Sequence, residues 1–269
     1  MRINIDNYRK NYFRLRKIIN ELLIPYNDND FTEDPSVDID KIALENGIKG
    51  ILLVKPKEIN KERAVLDVDK GVIKLDKKDS LEERRFSIAH DLKHYILRKQ
   101  EYYKKQVIQF KQPYIVAERA EVQRKISRYS NRNLLGVINL RYNSYFRFLS
   151  KYVEEVVSFN LGKPVTRKSA KRVLKKIYYD YYNKHSKKDV HKYVTCKKFI
   201  TDAINRLYDE ETADYFAANM LVPTERFILW EDRSDREIAK AFKVPIRCIK
   251  KRREEALFET DFTTIKDIF

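Results

Sequence analysis

Residues 84–97 read RRFSIAHDLKHYIL, and this stretch decides how the rest of the 269-residue chain is read. Phe86, Ala89, Ile96 and Leu97 recur at helical spacing, which predicts an amphipathic helix with Ser80 as N-cap and Glu83 at the capping-box position. An α-helix turns once in about 3.6 residues, so His90 and His94 project from one face, close enough to share a metal ion. Asp91 places a carboxylate directly after the first histidine. Two readings fit the pair: satisfied interior histidines, or two ligands of a metal site. A catalytic zinc site needs a third protein ligand from another element and an open position for water.

Upstream, GILLVK (50–55), RAVLDV (63–68) and GVIKLD (71–76) are β-rich runs separated by charged or glycine-containing turns, and they predict a small antiparallel sheet. Tyr8, Tyr12, Leu15, Ile18, Ile19 and Leu22 predict a helix over 4–24, followed by a polar loop and a short helix over 38–45. Downstream, helices are expected around 117–128 and 134–159, with GKP at 162–164 as a turn. The clearest is 166–184, where Thr166 can cap and Ala170, Val173, Leu174, Ile177, Tyr178 and Tyr181 form one apolar stripe. Its other face carries Lys168, Lys171, Arg172, Lys175 and Lys176 together with Tyr179 and Tyr182. Past residue 190 a helical pattern runs through Ile200, Ile204 and Leu207 into DEETADYFAANMLVP (209–223), which Pro223 ends. Residues 234–257 hold two short helical patterns around Lys-Val-Pro, similar to a helix-turn-helix; Ile238, Ala239, Phe242, Val244, Ile249 and Leu257 give them a small core, and packing is preferred to DNA reading as their role.

An apolar content of 43% is enough for a sizeable core, and only five glycines argue for a helix-rich fold with few tight turns. No apolar run reaches the roughly 20 residues that span a bilayer, and the charged N-terminus is not built as a secretion signal, so a cytoplasmic protein without membrane association is expected. Cys196 and Cys248 stand alone, which points away from a disulfide framework or a cysteine zinc site. The net charge of +17 is unevenly placed: residues 98–206 carry 27 Lys and Arg against 8 Asp and Glu, and the remainder 30 against 32. The same segment holds 12 of the 18 tyrosines. An excess of this kind has two readings, a solvated lysine-rich surface over a core that most of the tyrosines fill, or an acidic partner, DNA or RNA, with basic side chains on phosphates and some tyrosines stacked on exposed bases. His185 and His191 have neither cysteines nor acidic partners nearby and read as surface residues.

Two motifs, in order, resemble those of the ImmA/IrrE family of metallopeptidases. RRFSIAHDLKHYIL is similar to that family's RRFTLAHELGHYLL-like helix, and DEETADYFAANMLVP to its second motif. DIDKIALENGI and GVIKLDKKDSLEERRF agree with the helix and strand that precede the active helix, so the resemblance covers about 36–98 and 207–257. It implies an α+β fold with a zincin-like core, in which His90, His94 and Glu210 hold zinc or another divalent ion and Glu211 is the second choice. Asp214, one turn after Glu210, has two readings, a hydrogen bond to a ligand histidine or a side chain that only faces solvent, and by the same resemblance Asp91 stands where the family's general base does. Two departures bear on activity: Asp91 is one methylene shorter than the usual glutamate, and Lys93 takes the place of a glycine, where a long cation would close the cleft or hold a substrate carboxylate.

His94 and Glu210 are 116 positions apart, far more than the few tens of residues that separate the two motifs in typical members. The chain is therefore read as a discontinuous core (1–97 and 207–231), a basic, tyrosine-rich helical insertion (98–206) and a C-terminal helical segment (232–269). The resemblance implies a zinc endopeptidase that cleaves a DNA-binding transcriptional repressor in stress response or mobile-element control, with nucleic acid at the insertion. The alternatives are a peptidase scaffold that binds nucleic acid or a partner without turnover, and a toxin or defence protein.

Overall fold

The three β-rich runs form one sheet, in the order β1 (Gly50–Val54), β3 (Val72–Asp76), β2 (Ala64–Asp67). In this computed structural model residues 5–26, 34–60, 62–99, 124, 144–194 and 196–264 are described. The helix-rich α+β class expected from the sequence is what the chain adopts. The sheet, however, is mixed rather than antiparallel: β2 pairs antiparallel with β3, Ala64 opposite Leu75, whereas β1 runs parallel to β3, Gly50 opposite Val72. The physical reason is the connection. Between β1 and β3 the chain passes through a 3-10 turn at Pro56–Ile59 and then β2, and so re-enters the sheet in its starting direction. Alternation along a strand reports which face is buried and carries no information about direction.

Two compact units divide the chain, one of residues 14–107 with 212–269 and the other of 1–13 with 108–211. The first contains the sheet, the last part of α1 (Ile5–Leu23), α2 (Ile39–Glu45) and α3 (Leu81–Lys99). It also holds the end of a long helix numbered α7 (Lys197–Leu221), then α8 (Thr224–Ile228), α9 (Asp235–Ala241) and α10 (Ile246–Thr264). Asp38 caps α2 by accepting from the Lys41 N–H at 3.1 Å, and Ser234 caps α9 in a reciprocal box with Glu237. At the start of α3 the Ser80 hydroxyl accepts from Glu83 N–H, but the Glu83 carboxylate pairs with Arg63 and Arg247 rather than closing the box.

From Phe86 to Leu97 α3 is buried on all sides except at His90 and His94, so it is a core helix opened along one stripe rather than an amphipathic surface helix. Its seat on the sheet is set by Tyr95, whose hydroxyl donates to the Gly47 carbonyl at 2.5 Å. Gly47 has φ +97, a backbone conformation that favours glycine, and a Cβ there would lie 3.2 Å from that hydroxyl, so the Tyr95 ring would have to give by a few tenths of an ångström. Arg85 donates to the carbonyls of Val37 and Lys243, tying α3 to the entry of α2 and to the turn between α9 and α10. At the end of α7, the buried Arg252 of α10 donates to the Val222 carbonyl, to Thr224 Oγ1 and to Glu255, while Asn219 Nδ2 donates to Glu255 Oε2 at 2.9 Å. Removing one partner of such a buried pair costs about 3–5 kcal/mol.

The second unit contains α4 (Ser144–Leu161), α5 (Arg167–Tyr182), α6 (Lys187–Val194) and the first part of α7. Thr166 caps α5 by accepting from Ser169 N–H at 3.1 Å, and Gly162, at φ +73, makes the turn before it. Ala170, Val173, Leu174, Ile177 and Tyr178 are buried, as the stripe predicts; Tyr181 is half-buried, stacked between His185 at 3.8 Å and Tyr193 at 4.0 Å. Of the helix expected over 117–128 only Arg124 is described; α4 covers 144–159 of the one expected over 134–159, whose earlier part lies outside the described residues, as do the side chains of His191 and Leu257. Among the described residues, no helix is long and apolar enough to cross a membrane.

Candidate metal centre

Two helices supply the centre. α3 contributes His90, Asp91 and His94; α7, unbroken from Lys197 to Leu221, contributes Glu210 and, one turn later on the same face, Asp214. Residues 212–221 of α7 are buried except for Asp214, just as Phe86–Leu97 of α3 are buried except for the two histidines. The breaks in these two enclosed stretches are therefore polar groups, and Glu210, one turn before Asp214 and half-buried, joins the two histidines in the group that could hold an ion.

The Nε2 atoms of His90 and His94 face one another at 3.2 Å, with ring centroids 5.0 Å apart. Two nitrogens on a tetrahedral zinc, each at about 2.0–2.1 Å from it, stand about 3.3 Å apart, so the pair already has the bite such an ion requires. A carboxylate oxygen of Glu210 joins them, the three ligand atoms all lying within 4.8 Å of one another. The group that gathers includes Glu210 and not Glu211. Two imidazoles and one carboxylate form a donor set that zinc accepts, as do other divalent ions of the first transition row.

His90 Nδ1 lies 3.0 Å from Asp214 Oδ1, and Lys251 Nζ of α10 lies 3.2 Å from Asp214 Oδ2. An ionised carboxylate only accepts, so the proton is on His90 Nδ1 and the Nε2 lone pair is directed at the metal position. Burial works to raise the Asp214 pKa, but the Lys251 ammonium and the His90 hydrogen bond outweigh it and hold the carboxyl well below the usual range. Removing an outer partner of a metal-bound histidine typically costs about 10–100-fold in metal affinity. Asp214→Ala is accordingly expected to weaken divalent-metal binding by that factor without changing stoichiometry. Lys251→Met should shift it in the same direction by less, and Lys251→Arg restore it, as read by competition with a chromogenic chelator.

Asp91 is buried, 9% exposed, beside the largely buried His90. Lys93 is also buried, at 1%, so its ammonium is not the cleft-lining cation that its position in the motif suggested. On the α7 side, Arg206 Nε approaches Glu210 at 3.8 Å while its Nη1 pairs with Asp180 of α5 at 3.1 Å. Neither Arg206 nor Lys251 was marked by the sequence. Both act on a ligand, or on a ligand's partner, from positions whose own surroundings look like ordinary charged helix.

Of the residues read as a nucleic-acid surface, Lys168, Lys171, Arg172 and Lys175 are exposed and Lys176 is half-buried. Tyr179 and Tyr182 are 48% and 39% exposed, which places them on the basic side of α5.

Residues 48–123 match the family model of the IrrE N-terminal-like domain, peptidase family M78, which is a metallopeptidase family. The matched span includes His90, Asp91 and His94; Glu210 lies beyond it. Comparison with curated proteins gives no match, and neither does comparison with solved structures.

Proposed function

With an IrrE N-terminal-like domain over residues 48–123 as premise, we propose that the chain is a zinc-dependent endopeptidase acting on a regulatory protein, a DNA-binding transcriptional repressor being the substrate class. The observation that carries this reading is the convergence of a ring nitrogen from each of His90 and His94 with a Glu210 oxygen. A divalent ion held there would supply Lewis acidity to the attacking water and to a scissile carbonyl. The chain's own residues do the rest. His90, His94 and Glu210 hold the ion, Asp214 and Lys251 keep the His90 ring in its ligating tautomer, and Asp91 takes the proton from the attacking water. The basic face of α5 adds a site for nucleic acid, through which a DNA-bound substrate is met. Incubation with the repressor encoded beside this gene, with and without DNA, is expected to give a discrete cleavage that a chelator stops and added zinc restores. Chelator-insensitive cleavage, or none by the zinc-loaded protein, counts against it.

The burial and short reach of Asp91 favour one rival, a metal-binding scaffold that docks a partner without turnover. Such a protein would take up zinc and bind the repressor while leaving it intact.

A further inference from the structure

The basic face of α5 is more ordered than a scatter of charges. Lys168, Arg172, Lys175, Tyr179 and Tyr182 follow one another at intervals of four, three, four and three residues, and so lie on one line along the helix. At about 1.5 Å per residue the line is about 21 Å long, with cations over its first half and rings over its second. The cations stand where the helix least favours them, because α5 has no acidic residue in its first turn and its N-terminal end carries the positive pole of the dipole. Neighbours do not relieve this. Arg167 is paired with Glu154, but no ion pair engages Lys168, Lys171, Arg172 or Lys175 among the described residues, and the helix's one acid, Asp180, is taken by Arg206. The two rings are exposed yet held: Tyr182 stacks on the buried Tyr178 at 5.8 Å and 22°, and Tyr179 meets its edge at 5.3 Å. Holding them before a ligand arrives lowers the entropy lost on binding.

We infer that this line is a binding track for single-stranded nucleic acid, with backbone phosphates on Lys168, Arg172 and Lys175 and unpaired bases stacked on Tyr179 and Tyr182. The inference rests on the reading of α5 as a nucleic-acid surface and adds the strand state. Cations alone would serve duplex and single strand alike, but tyrosine rings can reach base faces only where the bases are not already stacked in a helix.

The test is fluorescence anisotropy of the full chain with single-stranded deoxy- and ribo-oligonucleotides, run as parallel arms, and with the matching duplex. The wild type is expected to bind one or both single strands more tightly than duplex. The double variant Tyr179→Ala, Tyr182→Ala should weaken single-strand binding about tenfold or more and leave duplex binding unchanged, and the double phenylalanine variant should restore it. Replacing Lys168, Arg172 and Lys175 with glutamine should weaken all arms and reduce the salt slope on single strands by about 2, at about 0.7 per phosphate contact. Duplex binding equal to or tighter than single-strand binding, or single-strand affinity unchanged in the alanine variant, overturns the inference while the surface reading stands. If the wild type binds none of the three, the surface reading falls with it and the metal centre is untouched.

Discussion

Alanine at His90 is expected to leave the chain without bound divalent metal after desalting, where the wild type retains one ion. The loss should exceed the roughly 100-fold that marks the removal of an outer hydrogen-bond partner, because the ligand atom itself disappears. Elemental analysis of the two proteins side by side measures it. The His90 side chain is 18% exposed and lines the open stripe of a helix whose buried residues Ala89, Leu92 and Tyr95 stay in place, so the fold should survive the change. His94→Ala should behave alike. At the third position Glu210→Gln is expected to weaken binding strongly and Glu211→Gln to leave it near the wild-type value, since it is the Glu210 oxygen that lies within 4.8 Å of both histidine nitrogens. Equal zinc in His90→Ala and the wild type would refute the ligand assignment. A chain that loses metal through Glu211 instead would mean that α7 is rotated by about 100° from the arrangement described.

How much of this was legible beforehand depends on whether a feature is local or assembled. The i, i+4 spacing of the histidines, the caps Asp38, Thr166 and Ser234, and the apolar stripe of α5 are each written within a few residues, and a helix turns such spacings directly into faces. The parallel pairing of β1 with β3 was hidden because strand direction is decided by the path between strands and not by the strands themselves. The near-complete burial of α3 was hidden as well. Asp91 and Lys93 look like surface charges in sequence, and only the packing of the sheet and helices around them removes them from solvent. Lys251 and Arg206 show the limit most clearly. Lys251 sits in the run KKRREE, one basic residue among four, and what sets it apart is a single contact to Asp214, 37 positions away.

Activity, unlike metal binding, depends on Asp91, and its substitutions carry the largest expected change in rate. A positioned general base contributes typically about 10²–10⁴-fold, so Asp91→Asn should lower cleavage of a repressor by at least about 100-fold while metal content stays at the wild-type level. The pairing of those two readouts matters, because a variant that lost metal would also lose activity and would say nothing about proton transfer. Asp91→Glu tests reach. Lengthening the side chain by one methylene moves the carboxylate by about 1.5 Å, and misplacement of about 1 Å can cost roughly 100-fold. If the aspartate is held short of the attacking water, the glutamate variant should cut faster than the wild type. If the enclosed position of Asp91 has already brought it to the right place, the longer side chain must fit into a site only 9% open to solvent and should cut more slowly. Either result shows that side-chain length at position 91 matters, and the asparagine variant with its metal retained decides whether the carboxylate takes the proton. Equal cleavage by the asparagine variant and the wild type would remove it from the reaction, and cleavage by the glutamate variant alone would make the native chain a binding protein on a peptidase frame, its metal retained and its turnover lost to one missing methylene.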